Sequence, residues 1–192
     1  MRTMPTYSEE GAFSVCEDIC KCASSTFFSS FSSLPLFQRK AVHAIYAFCR
    51  RVDDIADGDA LPPVQMTEQL RQQTLQRDQQ LREIHKSSPS SDSKTHFERL
   101  SALVDTRGKI NQMVKKNFHE KHDPVMVAMN AVIRDFSPKM KDLDAIIEGM
   151  EDDLFEVRCK TWDDLRAYCY KVASAVGLVL IEVYGYKDQS AR

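Results

Sequence analysis

The sequence predicts an all-α fold from two observations. Glycine is scarce, with 6 residues among 192, and the 7 prolines stand at turn-like positions. Apolar side chains recur at the three- and four-residue intervals that place them on one face of a helix. A chain of this length can form one domain with a sizeable core or part of a larger one, and we expect residues 1–192 to form a single domain.

The first half of the chain contains three predicted helices. Ser8 is a plausible cap for the first helix, because two glutamates follow it in the first turn. A long apolar helix then runs to about Asp57 and ends at Gly58. Residues 66–85 form a half-exposed outer helix, and the serine-rich segment 87–95 is predicted to be a surface connection.

Residue types that commonly cap helices predict where the helices of the second half of the chain begin. Residues 96–118 give either one helix or two helices divided at Gly108, and the sequence leaves both open. Asp123 and Ser137 each precede a proline, a pattern that predicts a helix start. Thr161 opens a capping-box pattern for a last helix that runs to about residue 184, and its apolar run 172–183 is expected to be buried on most sides.

Composition excludes some functional classes. The net charge of −2 and the pI of about 6.2 give no indication of nucleic-acid binding. The six cysteines form no Cys-x-x-Cys pair, and the start of the chain does not read as a signal peptide. These features favour reduced thiols in a cytoplasmic protein.

The chain is organised around residues 41–59, which read AVHAIYAFCRRVDDIADGD. This helix is apolar almost all the way round, so it is expected to be buried. Asp53 and Asp57 are four residues apart, one above the other, and Asp54 lies beside them. Ionised carboxylates removed from water need a cation or a set of donors, so the end of this helix requires compensation.

Magnesium is the compensation that these residue types favour, with Mn²⁺ as an alternative ion. Mg²⁺ is usually held by one or two carboxylates together with substrate phosphates. Tyr46 and Arg50 precede the aspartates on the same face, and a guanidinium is a fixed fork of donors for phosphate. The alternative is a solvated acidic helix end before Gly58, which the apolar run leading into it disfavours.

Three ordered motifs resemble the squalene/phytoene synthase family of isoprenoid synthases. Residues 24–57, SSTFFSSFSSLPLFQRKAVHAIYAFCRRVDDIAD, resemble the family's opening signature, which ends in Asp-Asp-x-x-Asp. Residues 148–154, EGMEDDL, resemble its Gly-Met-x-x-Asp-Leu segment. Residues 168–178, YCYKVASAVGL, resemble its Tyr-Cys-Tyr-x-Val-Ala-Gly-x-Val-Gly segment. The resemblance covers roughly residues 12–186.

The resemblance implies a helical bundle around a central cavity and a prenyltransferase that condenses two prenyl diphosphates head to head. Farnesyl or geranylgeranyl diphosphate would be the substrate. The product would be of the phytoene or squalene type, in isoprenoid, carotenoid or hopanoid biosynthesis. NADPH would be needed only if the product is squalene itself.

The resemblance also implies roles for individual residues. Asp53, Asp54 and Asp57 would hold Mg²⁺ and diphosphate. Tyr46, Arg50 and Tyr168 would be catalytic. Substrate-binding positions would be Ser24, Thr26, Phe27, Phe31, Val172, Ala173, Val176, Gly177 and Leu180, although each apolar one could equally be ordinary core. Asp153 and Glu156 could face the cavity, but a solvated acidic helix is the favoured interpretation.

The sequence departs from the family pattern at two places. Ala23 stands where the family often has a histidine. The family's second motif, Asn-x-x-Arg-Asp-x-x-x-Asp, is not found before Arg192, and residues 130–135 resemble it only superficially, with Lys139 in place of the last aspartate. We therefore expect the N-terminal part of a longer synthase, or a chain that needs a partner.

Two alternative functions remain open at the level of sequence. One is a catalytically inactive fragment or subunit that binds prenyl diphosphate or a partner chain. The other is a Mg²⁺-dependent diphosphate hydrolase, which the Tyr-Cys-Tyr motif disfavours. The apolar run 172–183 has little chain after it to cover it, which predicts self-association or peripheral contact with a membrane during release of an apolar product.

Overall fold

The computed structural model describes residues 5–23, 25–188 and 190, and the all-α prediction is confirmed for them. Helices follow one another with short connections. They are α1 (Glu9–Ala23), α2 (Ser25–Phe31), α3 (Leu36–Asp57), α4 (Glu68–His85), α5 (Ser93–Val114), α6 (Pro124–Phe136), α7 (Met140–Asp152), α8 (Trp162–Cys169), a π-helical segment (Tyr170–Ser174) and α9 (Ala175–Tyr184).

Side-chain caps fix several helix starts where the sequence predicted them. The Ser8 hydroxyl accepts a 3.2 Å hydrogen bond from the Gly11 amide at the start of α1. The Asp123 carboxylate accepts from two backbone amides at the start of α6. Thr161 and Asp164 form a complete capping box at the start of α8. These caps satisfy amides that have no partner inside their own helix.

One predicted helix start is wrong, and one open alternative is decided. Helix α5 continues through Gly108 as one helix, since a single glycine costs a long helix less than its packing provides. Ser137 does not start a helix: it lies in the left-handed region with φ of 50° and ends α6. The next helix, α7, begins at Met140.

The chain divides into two compact units, each described by itself. The first consists of Met1–Arg50, Lys109–Met140 and Gly177–Arg192. In this unit α1 packs against α6, and Arg134 pairs with Glu9 across the contact at 2.6 Å. The buried ring of His43 on α3 stacks on Phe28. The buried face of α6 is almost entirely aliphatic.

The second unit consists of Arg51–Gly108 and Lys141–Val176. It contains the last turns of α3, helix α4, most of α5, and α7 with the segment that follows it. Phe155 stacks on His85 with ring centroids 4.8 Å apart, and it also meets the edge of His96. Ion pairs lie beside this aromatic cluster, because His85 contacts Asp152 and His96 contacts Asp78.

The last helix is less buried than its composition predicted. Its buried positions include Ala175, Val179 and Val183, while Trp162 is 74% exposed and Tyr184 41% exposed. Apolar composition drives burial only where other chain covers the helix. By length and composition the 23 residues Trp162–Tyr184 could also cross a membrane, with 17% of the apolar window buried, but core helices of soluble proteins pass the same test.

Candidate functional site

The acidic end of α3 is partly exposed to solvent. Asp53 and Asp54 are half-buried and Asp57 is exposed, so the carboxylates stand at the surface of a helix that is otherwise buried. The helix ends at Gly58, which has φ of +83°. The Asp54 carbonyl accepts from the amides of Gly58 at 3.0 Å and Asp59 at 2.9 Å, which closes the last turn.

A guanidinium from α5 holds this helix end in place. Nη1 of Arg99 donates a 2.9 Å hydrogen bond to the carbonyl of Ala56. A cation at the C-terminal end of a helix is favourable because it offsets the partial negative charge of the last carbonyls. The Arg99 side chain also fills the space beside Gly58 into which a Cβ would project.

A further carboxylate joins the aspartates of α3 electrostatically. The half-buried Asp153 follows the end of α7, and its Oδ1 accepts a 2.7 Å hydrogen bond from the Tyr168 hydroxyl. Burial raises the pKa of Asp153, as do the charges of Asp152, Asp53 and Asp57, while the bond from Tyr168 acts in the opposite direction. The negative charges of Asp53 and Asp57 therefore interact electrostatically with the carboxyl group of Asp153.

The expectation that Asp153 belongs to a solvated acidic helix is wrong. Its neighbour in that expectation, Glu156, behaves as expected: it is exposed and pairs with Arg158 at 2.6 Å. The available sequence signal was the acidic cluster directly after Gly149-Met150. The Tyr168 contact that buries Asp153 comes from residues 15 positions further along the chain.

The segment after α8 is attached to α7 by additional contacts. Nζ of Lys171 donates to Oδ2 of Asp152 at 2.7 Å, and Oδ1 of the same carboxylate lies 3.0 Å from Nε2 of His85. The Tyr170 hydroxyl donates to Asp142 at 3.0 Å. Single π-helical turns inside α-helices are frequent at functional sites, and this one follows Tyr168 and contains the predicted tunnel positions Val172 and Ala173.

A buried cluster of ion pairs stabilises the C-terminal end of α7. The carboxylate of Glu151 is completely buried. It accepts from Nη1 of Arg107 at 2.8 Å and from Nε of Arg77 at 2.9 Å. Because the two arginines come from α5 and α4, the three helices are held together immediately before Asp152 and Asp153. Burial raises the pKa of Asp144, whose Oδ1 lies 3.5 Å from Nε of Arg107.

The donor types at the α3 end fit magnesium. Among the residues that the structure describes, no three His, Cys, Asp or Glu side chains are placed to hold a metal ion together. Mg²⁺ needs fewer protein ligands than that, since substrate phosphates and water complete its octahedron. Asp53 and Asp57 are hard oxygen donors one turn apart on α3, and the carboxylate charges of both act on Asp153.

Other predicted residues precede the aspartates along the chain. Tyr46 and Arg50 lie on α3 and are half-buried. Thr26 is exposed on α2, and the Phe31 ring lies 6.1 Å from that of His43. Ser24 and the side chain of Phe27 lie outside the described residues. A hollow of about 510 Å³ in the first unit is lined by residues such as Met113 and Ile133, and by none of the predicted site residues.

The predicted tunnel positions of the last helix differ in exposure. Val172 packs close to α7, because a Cβ on Gly149 would lie 3.1 Å from its Cγ1. Among the remaining positions, Ala173 and Gly177 are exposed. Val176 and Leu180 are half-buried. In the described chain they form an apolar strip that is accessible to solvent.

The family model for squalene/phytoene synthase matches residues 21–192. The chain belongs to this family. It is 29% identical over 186 residues to the phytoene synthase of Arthrospira platensis. It is 30% identical over 166 residues to the presqualene diphosphate synthase of Sinorhizobium fredii. The family assignment made from three motifs is thereby confirmed.

Solved structures agree with the fold of this family. A dehydrosqualene synthase crystallised with a ligand superposes with a TM-score of 0.63 at 26% sequence identity, covering 91% of this chain. The match covers 48% of that structure's chain. The chain likewise spans 47% of the Arthrospira platensis synthase and 46% of the Sinorhizobium fredii enzyme, which is about half the length of the relatives it matches.

Proposed function

We propose that this chain acts in a Mg²⁺-dependent prenyltransferase that joins two prenyl diphosphates head to head. The observation that carries the proposal is the acidic face of the second unit. There Asp53 and Asp57 lie within electrostatic range of Asp153, which holds the Tyr168 hydroxyl. Relatives named for phytoene and presqualene diphosphate synthesis support the same reaction class.

Asp53 and Asp57 would be the protein ligands of Mg²⁺, with Asp54 beside them. When bound, the ion would supply Lewis-acid stabilisation to the departing diphosphate, which is a poor leaving group unaided. The carboxylates contribute hard oxygen donors whose mutual repulsion a divalent cation relieves. Manganese, which prefers the same oxygen ligands, is the expected substitute.

The remaining residues bind and shield the substrates. Arg50, one turn before Asp54 on α3, would contact a diphosphate, for which a guanidinium supplies paired donors. Tyr46 and Tyr168 would lie beside the reacting carbons. The carbocation formed on loss of diphosphate must be kept from water, so an apolar surface around it is required.

The apolar strip after Tyr168 would form part of that surface. The proposed prenyl-contacting positions are Phe27, Phe31, Val172, Ala173, Val176, Gly177 and Leu180. Ser24 and Thr26 would bind diphosphate through their hydroxyl groups. NADPH would be a cosubstrate only if the product is squalene.

We also propose a cytoplasmic location with peripheral membrane contact during product release. The product would be a hydrocarbon that is insoluble in water and must leave towards a lipid phase. The exposed apolar surface of the 23-residue segment Trp162–Tyr184 is the surface proposed for that contact, or for self-association.

The test is turnover of labelled farnesyl or geranylgeranyl diphosphate by this chain with Mg²⁺, scored as a thirty- or forty-carbon hydrocarbon. We expect product from the wild type and its loss in Asp53→Ala and Asp57→Ala. Asp163→Asn, which removes an exposed carboxylate from α8, is the matched control and should retain activity. Mg²⁺-dependent binding of a non-hydrolysable analogue without turnover would contradict the proposal and favour an inactive subunit.

A further inference from the structure

Tyr168 on α8 and two residues of the π-helical segment, Tyr170 and Lys171, contact α7 or the residue directly after it, and these contacts are not equivalent. Two of them are tyrosine–aspartate hydrogen bonds of similar length: Tyr168 to Asp153 at 2.7 Å and Tyr170 to Asp142 at 3.0 Å. Lys171 forms an ion pair with Asp152. The two tyrosines thus provide the same chemistry two residues apart along the chain.

The Tyr168–Asp153 contact is tied to the acidic face by the charges that act on its carboxylate. Burial and the charges of Asp53 and Asp57 raise the pKa of Asp153. Asp142 has no exposed surface and lies in the first turn of α7, ten residues before the acidic end of that helix. The Tyr168–Asp153 contact therefore connects α8 with the aspartates of α3.

The direction of the hydrogen bond determines what Tyr168 can offer a substrate. The phenol donates its proton to Asp153, so the lone pairs of its oxygen point elsewhere. Burial and the adjacent carboxylate raise the pKa of Tyr168, so the phenol stays protonated at neutral pH. A neutral phenol with its proton directed away presents an electron-rich oxygen and ring, which stabilise positive charge nearby.

Close packing of the backbone keeps this geometry fixed. Gly149 on α7 allows Val172 and Lys171 to approach, since a Cβ at position 149 would lie 3.1 Å from Cγ1 of Val172 and 3.2 Å from Cβ of Lys171. On the other side of α7, the buried Glu151 is held by two arginines. Packing at Gly149 and ion pairs at Glu151 therefore fix the position of Asp153 at the end of α7.

We propose that Asp153 is a positioning residue, which holds the Tyr168 hydroxyl so that the phenol faces the reacting prenyl carbon as a neutral, electron-rich group. This inference rests on the proposed prenyltransferase function. It assigns Tyr168 an electrostatic role and excludes its use as the base that removes a proton. It also gives Asp153 a role different from that of Asp53, Asp54 and Asp57, the carboxylates proposed to hold the metal ion.

The kinetic test uses Asp153→Asn, Tyr168→Phe and the double variant. Each single variant should lower kcat about tenfold with KM for Mg²⁺ and substrate nearly unchanged, because a hydrogen bond to a charged group is lost. The double variant should lose about tenfold as well, since the two residues act as one unit. Tyr170→Phe is the control and should retain kcat within about twofold.

A second measurement does not depend on turnover. The carbon-13 resonance of the Tyr168 ring Cζ, assigned through its disappearance in Tyr168→Phe, should shift in Asp153→Asn and stay in place in Asp142→Asn. An unmoved resonance overturns the positioning role even in an active chain. A shifted resonance in a chain without turnover supports the contact and counts against the proposed function alone.

Two kinetic outcomes would also overturn the inference. A double variant about a hundredfold slower than the wild type would show that Asp153 and Tyr168 act independently. An effect of Asp153→Asn confined to KM for Mg²⁺ would make Asp153 a metal ligand instead of a positioning residue.

Discussion

The guanidinium of Arg99 lies where a Cβ on residue 58 would project, so the end of α3 requires glycine for two separate reasons. Gly58 has φ of +83°, a conformation that costs other residues about 1–2 kcal/mol. The Arg99 side chain, which donates to the Ala56 carbonyl, would also have to move. The helix end that carries Asp57 is thereby tied to α5.

Gly58→Ala should therefore lower the free energy of unfolding by about 1–3 kcal/mol. Urea denaturation measures this directly. Gly108→Ala is the opposite control: it lies inside α5 with no atom within 4 Å of the added Cβ, so it should stabilise the chain by about 0.5–1 kcal/mol. Gly185→Ala, at φ of +76° in open space, isolates the backbone strain. An equal loss of stability in Gly58→Ala and Gly185→Ala would show that the contact with Arg99 adds no cost beyond the backbone strain.

Glu151→Gln should be among the more destabilising single changes in the second unit. The substitution leaves Arg77 and Arg107 facing a neutral amide inside the protein. Removing one partner of a buried ion pair costs about 3–5 kcal/mol, and we expect about 2–3 here because each arginine is about one fifth exposed.

The matched control for Glu151→Gln is Glu156→Gln, which makes the same chemical change in an exposed pair with Arg158. Such pairs contribute little to stability. The unfolding midpoint in guanidinium should move for the first variant and stay in place for the second. Similar midpoints for both variants would mean that the Glu151 cluster does not hold α4, α5 and α7 together.

The parts of this fold that sequence predicted correctly are those determined locally. The caps at Asp123 and Thr161 depend on the next three residues, so the pattern alone identified them. The end of α3 at Gly58 was equally local. Sequence alone left one helix or two open around Gly108, because tertiary packing along α5, which outweighs the preference of one residue, is not a local property.

The parts that sequence missed depend on distant contacts. Asp153 was assigned to a solvated face because nothing in its neighbourhood indicates the bond from Tyr168, 15 residues away. The apolar run 172–183 was expected to be buried on most sides, yet Ala173 and Gly177 are exposed. Apolar composition favours burial, but it does not identify which other residues cover the apolar side chains of this helix. The roles of Asp53, Asp54 and Asp57 stay predictions.

Asp78 should make stability depend on pH in acid. Burial acts to raise its pKa, but hydrogen bonds and charges from Arg82 and His96 outweigh it and hold the pKa below its ordinary value of 3.8. A carboxyl whose pKa is lowered on folding contributes stability above its unfolded pKa and loses it as the pH falls through the folded pKa.

The difference in free energy of unfolding between the wild type and Asp78→Asn should therefore shrink between about pH 6 and about pH 3. Urea denaturation at both pH values gives that difference, and using a difference removes the effect of titratable groups that do not interact with Asp78. A constant difference would show that the bonds from Arg82 at 2.8 Å and His96 at 2.7 Å do not depend on the Asp78 charge.

Mg²⁺ should raise the melting temperature of the wild type, and more so with inorganic diphosphate present. A ligand that binds the folded state at about ten times its Kd stabilises it by about 1.4 kcal/mol, or about 3–6 °C for a chain of this size. Asp53→Asn and Asp57→Asn should lose the shift, because each removes a proposed oxygen ligand. Asp163→Asn, an exposed carboxylate on α8, should keep it. A shift that survives both α3 variants would place the cation elsewhere on the chain, and the electrostatic coupling of Asp153 to Asp53 and Asp57 would then have no part in metal binding.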